Sequence, residues 1–352
     1  MILILTPYSF NPLHPRLEYI EKYLIKNGYK VKKYNLRCEN RVIDKLNWLS
    51  LTFFQVPSFF KSFKYIWRHR KETELIYIQD LQNLPISIVA KLFGKKVIYD
   101  TLDNNVELNF YHISNRFTFL RKVSFVKNIV IFIEKKISYY FCDKTIVNSK
   151  ALVKYFSPYD AELIYYTSPF EKRFKVDIGN EVAFLYLGAF SLDKGAKEIL
   201  DFVELYNYKF FIYGDTSEDI LTRVSMLSNV FYHERVSSQE LFLELNTLFK
   251  KYCLVGFSMI HNVHYSYATQ EANKDIDYLA MGIPLIANHR KPTAEKIDAG
   301  CGVYMEDEKN IERLLNDEEY YTTVSKQCIG YYNKFYAQDI FEKKLLEVVE
   351  NV

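Results

Sequence analysis

Short apolar runs alternate with longer amphipathic ones along almost the whole chain. The β-rich runs "ILIL", "VKKYNL", "LIYIQ" (75–79), "KVIYD" (96–100) and "KTIVNS" (144–149) read as strands. Between them the spacing predicts a helix at about 16–27 with Gly28 as its C-cap. It predicts another at "PISIVAKLFG", with Pro85 in the first turn and Gly94 past the end. Residues 157–182, which hold Pro158, Pro169 and Gly179, break the rhythm and read as irregular. A second series follows, with strands at "AFLYLG" (183–188), "KFFIYG" (209–214), "NVFYH" (229–233), "CLVGFS" (253–258), "PLIAN" and "GVYM". Its helices are "AKEILDFVELY", "SQELFLELNTLF", "NKDIDYLAMG" and one from Thr293. Two such alternations predict an α/β chain of two parallel-sheet domains that face each other. The expected divisions are 1–165, a linker at 166–182, 183–335, and a C-terminal helix at 336–352 that packs back toward the first domain. Ligands of these sheets bind outside the carboxyl ends of the strands, so the interdomain cleft is the default site.

Composition changes this picture little. At 352 residues, with 49% hydrophobic and 25% charged, the chain suits two ordinary globular domains. Cys38, Cys142, Cys253, Cys301 and Cys328 are scattered, odd in number and without a CxxC pair. That pattern reads as reduced thiols in a cytoplasmic protein, not a disulfide frame or zinc site. "MILILTPYSF" lacks the basic lead and long apolar stretch of a signal peptide and reads as a first strand. No window holds the roughly 18 uncharged apolar residues that a spanning helix needs.

Charge changes it more. The net +3 hides a split: residues 1–150 carry 25 Lys+Arg against 12 Asp+Glu, hence +13, and the remainder 21 against 31, hence −10. A basic half of this kind faces a polyanion. Two aromatic and basic stretches, residues 48–71 and 116–136, fit an anionic membrane surface, with rings in the headgroup layer and cations on lipid phosphates. The alternative is that their apolar residues are core and their lysines solvent-facing. Nucleic acid is not expected, because no RRM, OB-like or helix-turn-helix signal accompanies the charge. The expected location is therefore cytoplasmic, peripheral on the inner face of the cell membrane.

The candidate chemistry centres on "NKDIDYLAMGIP" (273–284). A lysine in a helix's first turn opposes the helix dipole, so Lys274 suggests a site built for an anion held between the two. Lys194, in the turn after "AFLYLG", is a second candidate cation. No DxD triplet and no His or carboxylate cluster suggests a metal, so a diphosphate would be met by fixed cations and backbone N–H groups. Plainer readings stand beside these. Lys274 and Asp277, three apart, can form a surface ion pair worth under about 1 kcal/mol. Lys194 can be a solvated turn residue, and Asp100 and Asp103 can simply end a strand. His14 and Arg16 can be surface residues of a first turn, while His261 and His264 can line a cleft. Cys301 reads as a small buried hydrophobe.

Four strings, in order and each at a strand–helix junction, carry a resemblance: "HPRLEYIEKYLIKNGYKV", "QDLQNLPISIVAKLFGKKVIYD", "YLGAFSLDKGAKEIL" and "YATQEANKDIDYLAMGIPLIAN". Together they resemble the family 4 glycosyltransferases of the GT-B fold, two facing Rossmann-like domains, whose members build bacterial surface polysaccharides. The resemblance runs along nearly the whole chain. It implies metal-independent transfer, with retention, of a hexosyl-type sugar from a nucleotide-sugar donor to a lipid-linked or growing glycan, with no cofactor. It implies a donor site of Gly188, Lys194, Gly214, Glu271, Ala272, Asn273, Lys274 and Asp277, with Asp277 on the ribose and Glu234, Arg235 and Val236 at the nucleobase. It implies an acceptor side of His14, Arg16, Asp100 and Asp103, with Lys194, Lys274, Asp100 and Asp103 nearest the chemistry. The chain departs from the family pattern at Ala189, where Arg is common, at Thr269, where Glu is common, and at Leu102, where His is common. Two other readings keep the fold: a nucleotide-sugar 2-epimerase, and an inactive partner in a polysaccharide assembly complex.

Overall fold

A computed structural model of the chain describes residues 1–6, 15–35, 56–116, 124–170, 181–261 and 265–352. His14, His264, Cys38, residues 48–55 and 117–123 of the two basic stretches, and residues 171–180 of the expected linker lie outside the described residues. The chain divides into two compact units, Met1–Tyr165 with Phe341–Val352, and Tyr166–Ile340.

The first unit is a six-stranded parallel sheet in the order β2-β1-β3-β4-β5-β6. Its strands are β1 (Ile2–Thr6), β2 (Val31–Asn35), β3 (Leu75–Gln79), β4 (Lys96–Thr101), β5 (Lys144–Val147) and β6 (Glu162–Leu163). Its helices are α1 (Pro15–Lys26), α2 (Val56–His69), α3 (Ile86–Leu92), α4 (Asn105–Arg116), α5 (Ser124–Phe141) and α6 (Lys150–Phe156). Side chains alternate across each strand, so both faces are buried. Ile2, Ile4, Tyr77, Ile98 and Ile146 meet Leu17, Ile20 and Leu24 of α1 and Phe341, Leu345, Val348 and Val349 near the C-terminus. Leu3, Leu5, Ile76, Ile78, Val97, Tyr99 and Val147 meet Ile66, Ile86, Ala90, Val130 and Leu152 on the other face. Burying each such aliphatic or aromatic side chain stabilises the unit by about 1.5–3 kcal/mol.

The stretch read as irregular from 157 is ordered where it is described. Glu162–Leu163 pairs with β5, and Ile164, Tyr166, Thr167, Ser168 and Phe170 are buried. Its alternating apolar residues find cores to enter, which a count of prolines does not reveal.

The second unit is also a six-stranded parallel sheet, ordered β12-β11-β10-β7-β8-β9. Its strands are β7 (Glu181–Leu187), β8 (Lys209–Tyr213), β9 (Val230–His233), β10 (Tyr252–Ser258), β11 (Leu285–Ala287) and β12 (Gly302–Tyr304). The helices used below are α7 (Ala196–Tyr206), α8 (Glu218–Met226), α9 (Ser238–Phe249), α10 (Tyr265–Thr269), α11 (Asn273–Met281) and α12 (Lys291–Asp298). In each sheet the first strand sends the chain to one side and receives it back on the other. The switch points therefore lie between β1 and β3, and between β7 and β10.

α11 is fixed to its sheet through Tyr278. The phenol accepts the Leu187 N–H at 2.9 Å and donates to the Leu185 carbonyl at 3.2 Å. It can lie there because β10 has a glycine beneath it: a Cβ on Gly256 would sit 2.7 Å from the Tyr278 ring.

Candidate functional site

Carboxyl ends of β7 and β10, the N-terminus of α11 and the start of α12 together carry a group of buried charges. Lys274, the second residue of α11, is only 9% exposed. Its Nζ has no hydrogen-bond partner and lies 3.9 Å from the centroid of the Tyr186 ring. Burial pushes the ammonium well below the ordinary lysine range; Asp275 offsets this in part, and Lys194 and Arg290 add to it. An unpaired ammonium rests on a ring face at the N-terminal turn of the helix, the end where the helix dipole is positive.

Lys194 is half-buried, ending the turn Leu192–Lys194. Gly195 follows at φ 75°, and a Cβ there would sit 2.5 Å from Met259 Cβ. The turn therefore closes against the end of β10 only with glycine at this place, which carries Lys194 into the electrostatic range of Lys274.

Behind Lys274 lies a set of charges that sequence reasoning missed. Asp275 is fully buried, with neither oxygen hydrogen-bonded; Arg290 Nη2 is 3.7 Å away and Lys296 Nζ 3.9 Å. Lys296 donates to Glu271 at 2.7 Å. Arg290 Nη1 donates to the carbonyls of Tyr267 and Gln270 at 3.0 and 2.9 Å, holding the backbone that leads into α11. Arg290 follows the β11 strand at the carboxyl edge, and that placement was the available signal. Glu271 is thus tied to Lys296 and buried.

Asp277 and Lys274 do not form the surface ion pair that their spacing allows. Both are drawn into the fold, and each meets other groups. Asp277 Oδ1 accepts from the Tyr166 hydroxyl at 3.4 Å. Burial pushes its carboxyl up to about 7, with Ser168 and Tyr166 hydrogen bonds acting the other way.

The remaining donor-side candidates are spread along the same sheet edge. Gly188 and Gly214 follow β7 and β8, their N–H groups donating to Tyr213 and His233 carbonyls at 2.9 and 3.0 Å. Glu234 and Arg235 are exposed and Val236 half-buried just after β9, with Arg235 3.9 Å from Asp215. Ala272 is buried at the N-cap of α11, and Asn273 is its half-buried first residue. His261 lies 3.4 Å from Glu198.

In the first unit Asp100 and Arg16, expected on the acceptor side, meet each other inside the fold. Asp100 is fully buried, accepting from Arg16 Nε at 3.0 Å, Arg16 Nη2 at 3.1 Å and the Tyr77 hydroxyl at 2.6 Å. Arg16 Nη1 donates to the Ile164 carbonyl at 3.0 Å. These groups hold α1, β3, β4 and the chain after β6 together, and no oxygen of Asp100 faces solvent. Asp103 is half-buried, and its backbone carbonyl accepts from Asn105 N–H and Thr101 Oγ1. Leu102, noted above as a departure from the resemblance, is buried.

Among the described residues, no three His, Cys, Asp or Glu come together as a metal site would require. No helix among them is long and apolar enough to cross a membrane.

No protein-family model and no curated protein matches the sequence. Solved structures do match the fold. HepE of Anabaena, solved in complex with UDP, aligns over 100% of both chains with TM-score 0.63 and 13% identity. A UDP-forming trehalose-phosphate synthase from Burkholderia vietnamiensis aligns over 100% of this chain and 99% of its own, with TM-score 0.67 and 9% identity. A UDP-N-acetylglucosamine 2-epimerase assignment from Listeria monocytogenes covers 99% and 95%, with TM-score 0.58 and 9% identity. The two six-stranded parallel sheets are thus the two Rossmann-like domains of the GT-B fold.

Proposed function

We propose that this chain is a glycosyltransferase that moves a sugar from a nucleotide-sugar donor to a glycan, either lipid-linked or growing. The observation that carries the reading is Lys274: a buried ammonium with no hydrogen-bond partner, at the N-terminus of α11. As the sugar leaves, negative charge grows on the nucleoside diphosphate. Lys274, Lys194 and the positive N-terminal end of α11 stabilise that charge, more strongly for being shielded from water. Asp277 binds the ribose hydroxyls, and Glu234 to Val236 lie where the base is held. No metal is needed in this scheme, and a hexosyl group is transferred with retention, as the family 4 resemblance implies.

Membrane attachment belongs to the same proposal. Phe60, Phe63 and Trp67 form an exposed stripe on α2, and Phe125, Ile129 and Phe132 another on α5. Lys136 lies within 5.5 Å of the Phe132, Tyr140 and Tyr159 ring centroids. Rings and cations on shared helix faces suit the headgroup layer of an anionic bilayer, on the inner face of the cell membrane.

The likeness to an epimerase of the same fold supports a second reading, isomerisation of the donor itself. Incubation of the protein with a panel of UDP-, GDP-, TDP- and ADP-sugars, with and without lipid-linked and free glycans, separates the two. Nucleoside diphosphate released only with acceptor present supports transfer; a donor epimer formed without acceptor supports the second reading. No change to any donor leaves only an inactive binding role.

A further inference from the structure

Tyr186 is fully buried, and its ring is held from two sides. The hydroxyl donates to the Ala189 carbonyl at 3.0 Å, in the turn that leads to Lys194. The Phe190 ring packs edge-on, 4.8 Å away between centroids. On the ring face rests Lys274 Nζ, 3.9 Å from the centroid, closed off from solvent and without a hydrogen bond. The charges around this ammonium are divided: Asp275 and Asp193 favour it, while Lys194 and Arg290 oppose it. The ring is what it gains in direct contact for the water it has lost.

An anion cannot reach Nζ where it now lies, since a charged hydrogen bond needs about 2.7–2.9 Å and the atom is closed off. One of the two partners must therefore move. Tyr186 is tied by its hydroxyl and wedged in the core, whereas a lysine stem is flexible. A full negative charge also holds an ammonium more strongly than a ring quadrupole does. Lys274 thus has a resting place that it can give up.

We infer that Tyr186 is a positioning residue that stores Lys274: without nucleotide the ammonium rests on the ring, and it leaves the ring to meet the diphosphate. This rests on the transferase reading and adds to it a device for product release. Binding breaks the ring contact and release restores it, so the ring lowers nucleotide affinity by the strength of that contact.

The test is a double-mutant cycle on UDP affinity by calorimetry, with Tyr186→Leu, Lys274→Met and the two together. Tyr186→Leu also shrinks a core side chain, so its effect is read against the same change beside Lys274→Met, where no ammonium remains to store. Relative to that background, Tyr186→Leu is expected to tighten UDP binding about 2- to 30-fold, the range of one cation–π contact. Tyr186→Phe keeps the ring face and should stay within about twofold of the unaltered protein. Fluorinated phenylalanines in place of Tyr186, which weaken the ring's negative face at nearly constant shape, give the same test if the leucine variant does not fold. UDP binding should then tighten stepwise with fluorination. A ring effect equal in both backgrounds, or a ring that strengthens UDP binding only when Lys274 is present, would overturn the inference. A second readout is the Lys274 side-chain titration by carbon NMR, assigned by its loss in Lys274→Met. It should move to lower pH when the ring is removed or fluorinated and stay in place in Tyr186→Phe; no movement also overturns the inference. Failure of UDP to bind the unaltered protein instead sinks the transferase reading, and this titration then still tests the hold of Tyr186 on Lys274.

Discussion

Replacement of Lys274 by methionine keeps the aliphatic stem and removes the ammonium. In the unliganded protein that ammonium is buried with no hydrogen bond, and leaving a polar group so costs about 1–3 kcal/mol. Against this stands its contact with the Tyr186 ring at 3.9 Å, worth up to about 2 kcal/mol. The variant should therefore match or exceed the native protein's stability by about 0–2 kcal/mol in urea unfolding. UDP affinity should move the other way. A lost charge-assisted contact of about 1.5–3 kcal/mol is roughly a 10- to 150-fold rise in Kd by calorimetry. A pH signature accompanies this. The folded Lys274 titrates below its unfolded value, so between the two the unfolded chain binds more protons. Stability therefore rises with pH across that interval and levels off above the unfolded value. The slope should flatten in the methionine variant. A variant that loses stability while keeping native UDP affinity would show Lys274 to be a structural residue and refute the reasoning.

Other expectations are shorter. Asp277 has a folded value of about 7, raised by burial from an ordinary 3.8, so the folded chain binds the extra proton between these limits. Stability should fall as pH rises through that window, by at most about 4 kcal/mol and less for the exposed part of the side chain. Asp277→Asn should abolish the slope in urea titrations while raising the donor KM; an unchanged slope contradicts the assigned environment. Asp100→Ala should strand Arg16 and cost about 3–5 kcal/mol, whereas a near-native Tm with lost acceptor use would restore its acceptor role. The protein should sediment with anionic vesicles at low salt and be released by high salt, and equal binding to neutral vesicles would remove the membrane proposal.

The strands were legible because apolar β-rich runs buried on both faces leave a continuous trace, as at "LIYIQ" and "KVIYD". Lys274 stood out for a different reason: a lysine in the first turn opposes the helix dipole. Its burial was not legible, since charge and spacing alone also describe a surface pair. The Arg16–Asp100 pair joins residues 84 apart, and no local pattern signals such a partner. Asp275, Arg290 and Lys296 were missed because each looks like a solvated helix or loop residue until the fold closes over all three.

The most direct test of the donor site is a crystal structure of the chain with UDP and chelator. The diphosphate is expected within about 2.7–3.2 Å of Lys274 Nζ, with the N-terminal N–H groups of α11 pointing at it. A diphosphate bound elsewhere, with Lys274 still resting on Tyr186, would contradict the account.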